Sequence, residues 1–212
     1  MIYLTCKKIP DGENTVGLYQ KALASFRPCP ENEQYINAVS DRCDSSAKEG
    51  LFALCLLAEL VKAARDPLAP DTLTLARADS GKPYFISSDL QFNISHSSGY
   101  VAVALSDEGD VGIDVETADI TPEKAQKLAK RFFTEAEQRA VSADTTAFLK
   151  LWSKKEATAK YLGTSLSSHI SLERRGESTQ PNITTETHTV NGINVTVCRK
   201  MQADMSKISI LA

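Results

Sequence analysis

The chain has 212 residues, 42% hydrophobic and 24% charged, with a formal charge of −3. This is an ordinary globular composition, with room for one large domain or two small ones. It leaves no broad basic footprint for nucleic acid, and the longest apolar run, Leu51 to Ala58, is too short to span a bilayer. Residues 2–9 read as a first strand. The N-terminus lacks the basic start and long apolar core of a secretion signal, so the expected compartment is the cytoplasm. Helical character follows near 13–26. Ser46-Ala47-Lys48-Glu49 fits a capping box and opens a helix through the apolar run, ending before Pro67. Strand patterns follow at Thr72–Arg77, Gln91–Ser95, Tyr100–Leu105 and Val111–Glu116. Asp79-Ser80-Gly81-Lys82-Pro83 is a turn, and Ser106–Asp110 joins the last two strands by a hairpin-type connection. Thr121-Pro122 starts a helix, and Thr134-Glu135-Ala136-Glu137 fits a second capping box. Thr146–Leu162 reads as one helix with Phe148, Leu151 and Trp152 inward and Gly163 as its stop. Ile170–Arg174, Thr187–Val190 and Ile193–Arg199 read as strands, the last two joined by the type I′ turn signal Asn191-Gly192. Residues 176–186 read as a polar connection. The alternation predicts an α+β fold in two similar halves, 1–108 and 109–212.

Five cysteines (Cys6, Cys29, Cys43, Cys55, Cys198) form an odd set without a C-x-x-C pair, which fits reduced thiols rather than a disulfide framework or zinc site. Asn93-Ile94-Ser95, Asn182-Ile183-Thr184 and Asn194-Val195-Thr196 match the glycosylation sequon. Without a secretion signal they read as chance matches.

Two segments carry most of the chemistry. In Gly112-Ile113-Asp114-Val115-Glu116, residues two apart share a face of a strand. Val111, Ile113 and Val115 form an apolar face, and Gly112, Asp114 and Glu116 the other. Paired carboxylates repel unless they are solvated or hold a cation. Oxygen-only ligands suit Mg²⁺, which completes its shell with water and substrate phosphate. The plain alternative is the exposed polar face of a half-buried sheet. In Trp152-Ser153-Lys154-Lys155-Glu156-Ala157-Thr158-Ala159-Lys160, Glu156 and Lys160 share a helix face. Alone they read as a surface ion pair worth about 0.3–0.5 kcal/mol. Together the segments form three carboxylates with an ammonium beside them, suited to a divalent cation that holds a pyrophosphate. His96 lies at a strand end rich in hydroxyls. It forms no dyad with Ser95, because neighbours in a strand point oppositely. Its plain reading is a polar turn. Lys82 reads first as a turn lysine, and Glu137 as a capping-box residue.

These residues, in this order, resemble the 4′-phosphopantetheinyl transferase superfamily, specifically its larger Sfp-type members with two subdomains. The family's Gly-(Ile/Val)-Asp-(Val/Ile)-Glu is matched by Gly112–Glu116. Its (Trp/Phe)-(Ser/Thr/Cys)-x-Lys-Glu-(Ser/Ala)-x-x-Lys is matched by Trp152–Lys160. Gly81-Lys82-Pro83, Phe92–Ser97, Arg131-Phe132-Phe133 and Glu137 agree in order. The resemblance implies two related α+β halves about a pseudo-twofold axis with CoA in the cleft between them. It implies a Mg²⁺-dependent transfer of 4′-phosphopantetheine from CoA to a serine of an apo acyl or peptidyl carrier protein, giving holo carrier and 3′,5′-ADP. Such carriers serve fatty-acid, polyketide and nonribosomal-peptide synthesis. By resemblance, Asp114, Glu116 and Glu156 hold Mg²⁺. Lys160 stabilises phosphoryl charge, and Glu156 is the first candidate base for the serine, with a metal-bound water as its rival. Ser95 and His96 match residues that contact CoA phosphates. Lys82 and Pro83 match the nucleotide pocket, and Lys155 matches the motif off the Glu156–Lys160 face. Family members often carry basic residues for the CoA 3′-phosphate before the first long helix. Here that stretch is Pro30-Glu31-Asn32-Glu33-Gln34-Tyr35, with Arg42 or Lys48 as the nearest substitutes. The expected state is a monomer without nucleic-acid or membrane partners. A non-catalytic CoA- or carrier-binding relative and a metal-dependent phosphohydrolase are the alternative readings.

Overall fold

The computed structural model describes residues 1–64, 72–117, 120–142, 144–174, 182–201 and 207–211. It is an α+β fold. The first sheet has the order β4-β5-β1-β9. Its strands are β1 (Ile2–Lys8), β4 (Gln91–Ser97), β5 (Tyr100–Ser106) and β9 (Ile208–Ile210). β1 is antiparallel to β5 and parallel to β9. A second sheet, of order β6-β8-β7, contains β6 (Val111–Glu116), β7 (Ile183–Val190) and β8 (Ile193–Lys200). A separate hairpin pairs β2 (Thr74–Arg77) with β3 (Pro83–Ile86).

The first sheet has two buried faces. Val101, Val103, Leu105 and Phe92 pack against the apolar sides of three helices. These are α1 (Thr15–Ser25), α2 (Pro30–Ser40) and α3 (Asp44–Ala64). On the other face, Ile2, Leu4, Cys6, Ala102 and Ala104 meet Val111, Ile113, Val115, Val195 and Val197 of the second sheet. The alternating Val-Gly-Ile-Asp-Val-Glu pattern therefore aims its apolar half at the core between the sheets. A third core joins α4 (Pro122–Phe132), α5 (Glu135–Ala140) and α6 (Thr145–Tyr161), with Phe133 and Phe148 stacked at 5.2 Å.

Local signals account for most boundaries. Asn14 caps α1, Thr121 caps α4, and Thr134 with Glu137 forms a full capping box on α5. Asn191 and Gly192 have φ of 50° and 79°, the positive pair a type I′ turn demands.

Several expectations are corrected. Residues 30–40, to which the sequence pattern assigned no element, form a helix. Pro30 opens it, Tyr35, Ile36 and Val39 are buried, and Asn32 bonds Arg27 O, Leu73 O and Leu75 N. Helix α3 begins at Asp44 rather than Ser46, because its first turn is closed by Ala47 N–H to Cys43 O and Thr15 donates to Asp44. Glu49 is thereby released from any capping role. Residues 83–86 and 208–210 are strands that the sequence pattern alone did not isolate.

Residues 106–110 do not close a hairpin. Both edges of β5 are taken by β1 and β4, and β6 pairs with β8 in the other sheet. Ile170–Arg174 belongs to a helix, α7 (Leu166–Arg174), not a strand. Ser165 accepts from Ser168 N–H, and the helical spacing brings His169 and Ile170 together into the interior. The polar connection at 176–186 lies outside the described residues through 181, while Ile183–Glu186 are already part of β7.

Candidate active site

Helix α6 lies directly on β6, and Gly112 is the reason it can. A Cβ at this position would stand 2.1 Å from Ala157 O and 2.5 Å from Tyr161 N. Only a residue without a side chain allows this approach, which sets the Glu156–Lys160 turn of α6 over the Asp114–Glu116 half of β6. The polar half of the strand is thus covered by a helix rather than solvent, and Asp114 is 3% exposed.

The charged groups meet there. Lys160 Nζ donates to Asp114 Oδ1 at 2.8 Å and to Ser95 Oγ at 2.8 Å. Ser95 Oγ donates to the same Oδ1 at 3.1 Å. Asp114 Oδ2 is buried with no hydrogen-bond partner. Burial first, and then the Asp114 charge, push the Glu116 carboxyl up to about 7, despite a hydrogen bond from Trp152 and the pull of Lys160. Burial also raises Glu156. Lys160 opposes that shift and Asp114 adds to it.

Three carboxylates therefore share one nearby ammonium. An orphaned buried oxygen and two carboxyls raised by burial are what such a group shows when its negative charge is under-compensated. Among the described residues, no group of three or more His, Cys, Asp or Glu forms a ready-made metal cage. Mg²⁺ does not require one, since it binds through one or two carboxylates plus waters and substrate phosphate. Asp114 and Glu116, with Glu156 one helix away, fit such a partial oxygen site.

Beside them a groove of about 320 Å³ is bordered by Glu116, Thr117, Ser97, Ser98, Lys124 and Trp152, among others. Another hollow, about 200 Å³ between α4, α5 and α6, touches none of the three carboxylates.

The other residues named from the sequence lie elsewhere. Lys82 Nζ bonds Asp110 Oδ1 at 2.9 Å and Tyr161 O at 3.3 Å. It sits at the start of β6, about 20 Å along the strand from Glu116 at roughly 3.3 Å per residue. Pro83 opens β3 opposite Arg77. His96 points to the opposite face of β4 from Ser95, and its Nδ1 is 3.1 Å from Glu49 Oε2. Lys155 is 7% exposed, with Nζ 3.0 Å from Glu137 Oε1 and near the Phe133 ring, away from Asp114. Lys48 pairs with Asp44, and Arg42 lies beside the Gly50 backbone.

Two contributors were not singled out as site residues from the sequence. Trp152, an inward apolar residue and the first position of the second motif, also opposes the rise of the Glu116 pKa. Asn93 accepts from Ile113 N–H at 3.1 Å. Its signal was its position two residues before Ser95, which places both side chains on one face of a strand.

Comparison with known proteins adds an independent finding. Residues 110–203, which include both β6 and α6, match the family model described as the 4′-phosphopantetheinyl transferase superfamily. The chain is 36% identical over 111 residues to the 4′-phosphopantetheinyl transferase of Bacillus subtilis, covering 47% of this chain and 46% of the relative. It is 38% identical over 102 residues to the 4′-phosphopantetheinyl transferase AcpT of Escherichia coli strain K12, covering 45% and 51%. It is 35% identical over 98 residues to the 4′-phosphopantetheinyl transferase gsp of Aneurinibacillus migulanus, covering 44% and 39%. The chain spans about half the length of the curated relatives it matches.

Proposed function

We propose that this chain, a member of the 4′-phosphopantetheinyl transferase superfamily by its residues 110–203, transfers the 4′-phosphopantetheine of CoA to a serine of an apo carrier protein. The serine oxygen forms a bond to the β-phosphorus of CoA, the bond from that phosphorus to the departing 3′,5′-ADP breaks, and the serine proton is released. The observation that carries this reading is the convergence of Asp114, Glu116, Glu156 and Lys160 on one buried corner where α6 crosses β6.

Asp114, Glu116 and Glu156 would hold Mg²⁺. When bound, it supplies positive charge to the pyrophosphate oxygens and lowers the cost of charge on the leaving group. Lys160 holds Asp114 in place through Oδ1 and brings an ammonium to the same corner, where low dielectric strengthens its pull on phosphoryl oxygens. Glu156 is the candidate base. Trp152 opposes the rise of the Glu116 pKa. Residues 1–108 and 109–212 are taken as the two halves that flank the CoA cleft. This reading is supported by the change of sheet between β5 and β6. His96, Lys82, Pro83 and Lys155 are further proposed CoA contacts, each reached by substrate from outside the carboxylate cluster.

The proposed partner is an apo acyl or peptidyl carrier protein, and the proposed state is a cytoplasmic monomer. No helix among the described residues is long and apolar enough to cross a membrane. The test is incubation with CoA, Mg²⁺ and a panel of apo carriers, read by mass spectrometry. A phosphopantetheine mass on the carrier serine is expected, and no addition to any carrier would refute the proposal. Asp114→Asn should reduce transfer by at least about 100-fold, the usual scale for losing a charge-stabilising group, while the circular dichroism spectrum stays unchanged. A well-folded Asp114→Asn protein with near-normal turnover would remove Asp114 from the metal site.

A further inference from the structure

β6 pairs with β8 along one edge, and no strand pairs with its other edge among the described residues. Two backbone donors on that second edge still have buried partners. Ile113 N–H donates to Asn93 Oδ1 at 3.1 Å, and Val115 N–H donates to Ser95 Oγ at 3.2 Å. Asn93 and Ser95 are each 4% exposed. They project from one face of β4 at the two-residue spacing that an antiparallel ladder would offer. Two side chains of the first sheet thus take the place of a neighbouring strand for the second. The donors they hold are the amides immediately before and after Asp114.

The Ser95 hydroxyl has a further engagement. It accepts from Lys160 Nζ at 2.8 Å as well as from Val115 N–H, and its own hydrogen points to Asp114 Oδ1 at 3.1 Å. A hydroxyl has one donor and two acceptor positions, so all three are used. Asp114 Oδ1 is thereby fixed by Ser95 and Lys160, and Oδ2 is left without a partner.

We propose that Asn93 and Ser95 are positioning residues. They clamp β6 on either side of Asp114 and hold its carboxylate with Oδ1 engaged and Oδ2 left for a divalent cation. Ser95 therefore serves the acidic cluster, a role in addition to the CoA contact that resemblance assigns it. The relevance of this clamp to catalysis rests on the transferase reading; the clamp itself does not.

The first measurement is amide hydrogen exchange by NMR on metal-free protein. Ser95→Ala should speed exchange at Val115, and Asn93→Leu at Ile113, each by about tenfold or more. Asn93→Asp, which keeps the acceptor oxygen, should preserve Ile113 protection. Gly112, Asp114 and Glu116 alternate with these donors and face β8, so they should change little.

The second measurement is Mn²⁺ titration by electron paramagnetic resonance, with CoA affinity measured separately by calorimetry in EDTA. Ser95→Ala should weaken Mn²⁺ by about 10–100-fold, the range for partners that orient a metal ligand. Ser95→Thr should restore Mn²⁺ binding, which covers the case in which the alanine variant folds poorly. Unchanged protection at Val115, or a Ser95→Ala protein that binds Mn²⁺ normally but CoA weakly, overturns the proposal. So does wild-type protein that binds Mn²⁺ no better than Asp114→Asn. Carrier modification by the wild-type protein is scored separately. Its absence alongside the expected exchange and Mn²⁺ results would refute the transferase reading and leave the clamp standing.

Discussion

At the scale of single residues, the chemistry depends on how much negative charge is crowded under α6. Burial and the Asp114 charge lift the Glu116 carboxyl from 4.5 to about 7. Between those values the folded protein retains a proton that the unfolded chain has released. Linkage then requires stability to fall as pH rises through the window. The Glu116 contribution is fully present below the unfolded value and is lost as pH passes the folded one. Thermal melts in EDTA should therefore show a falling Tm from about pH 5 to about pH 8, flattened in Glu116→Gln and reversed at the upper end by excess Mg²⁺. An unchanged slope in Glu116→Gln would assign the effect to another group. Lys160 supplies the opposing charge. Lys160→Met should leave Asp114 buried without its ion pair, costing about 3–5 kcal/mol. Denaturant titration at neutral pH measures this, and a loss below about 1 kcal/mol would show that the pair adds little to stability.

At the scale of elements, the site is one helix laid on one strand, and Gly112 sets the distance between them. Gly112→Ala drives a methyl group into the Ala157 carbonyl and the Tyr161 amide. These are backbone atoms that no rotamer change can move aside. A loss of about 2–3 kcal/mol or more is expected from such overpacking, together with impaired carrier modification because Glu156 and Lys160 ride on the displaced helix. A stable, fully active Gly112→Ala protein would mean that α6 has more freedom than this contact allows. Helix α6 and strand β6 were legible in the sequence, because the helical spacing of Phe148, Leu151 and Trp152 and the strict alternation of β6 are local signals. That the two segments meet was expected from the sequence, but the closeness of their contact was not, although the glycine that permits it stood in the motif. Helix α7 shows the opposite case. A β-branched, polar stretch read as a strand became helical once Ser165 capped it and tertiary burial took His169 and Ile170.

At the scale of the whole molecule, the core between the two sheets decides how the parts are held. Leu4 of β1 is completely buried among residues of both sheets. Leu4→Ala should cost about 2–5 kcal/mol and lower both reporters of unfolding together. The single tryptophan, Trp152 on α6, reports one side, and far-ultraviolet circular dichroism reports the whole chain. Coincident midpoints are expected for one cooperative unit. Separated midpoints would show that the sheets unfold independently. The amino-acid sequence by itself determined the mixed fold class, most strands and helices, and the identities of the three carboxylates and the lysine. Period, capping and turn chemistry act over a few residues, and the motif residues lie within such short spans. Only the tertiary structure decided that β5 and β6 part into different sheets and that His96 turns to Glu49. It also brought Asn93 and Ser95 to the open edge of β6, because pairing between distant segments depends on which edges remain unsatisfied once the chain has packed.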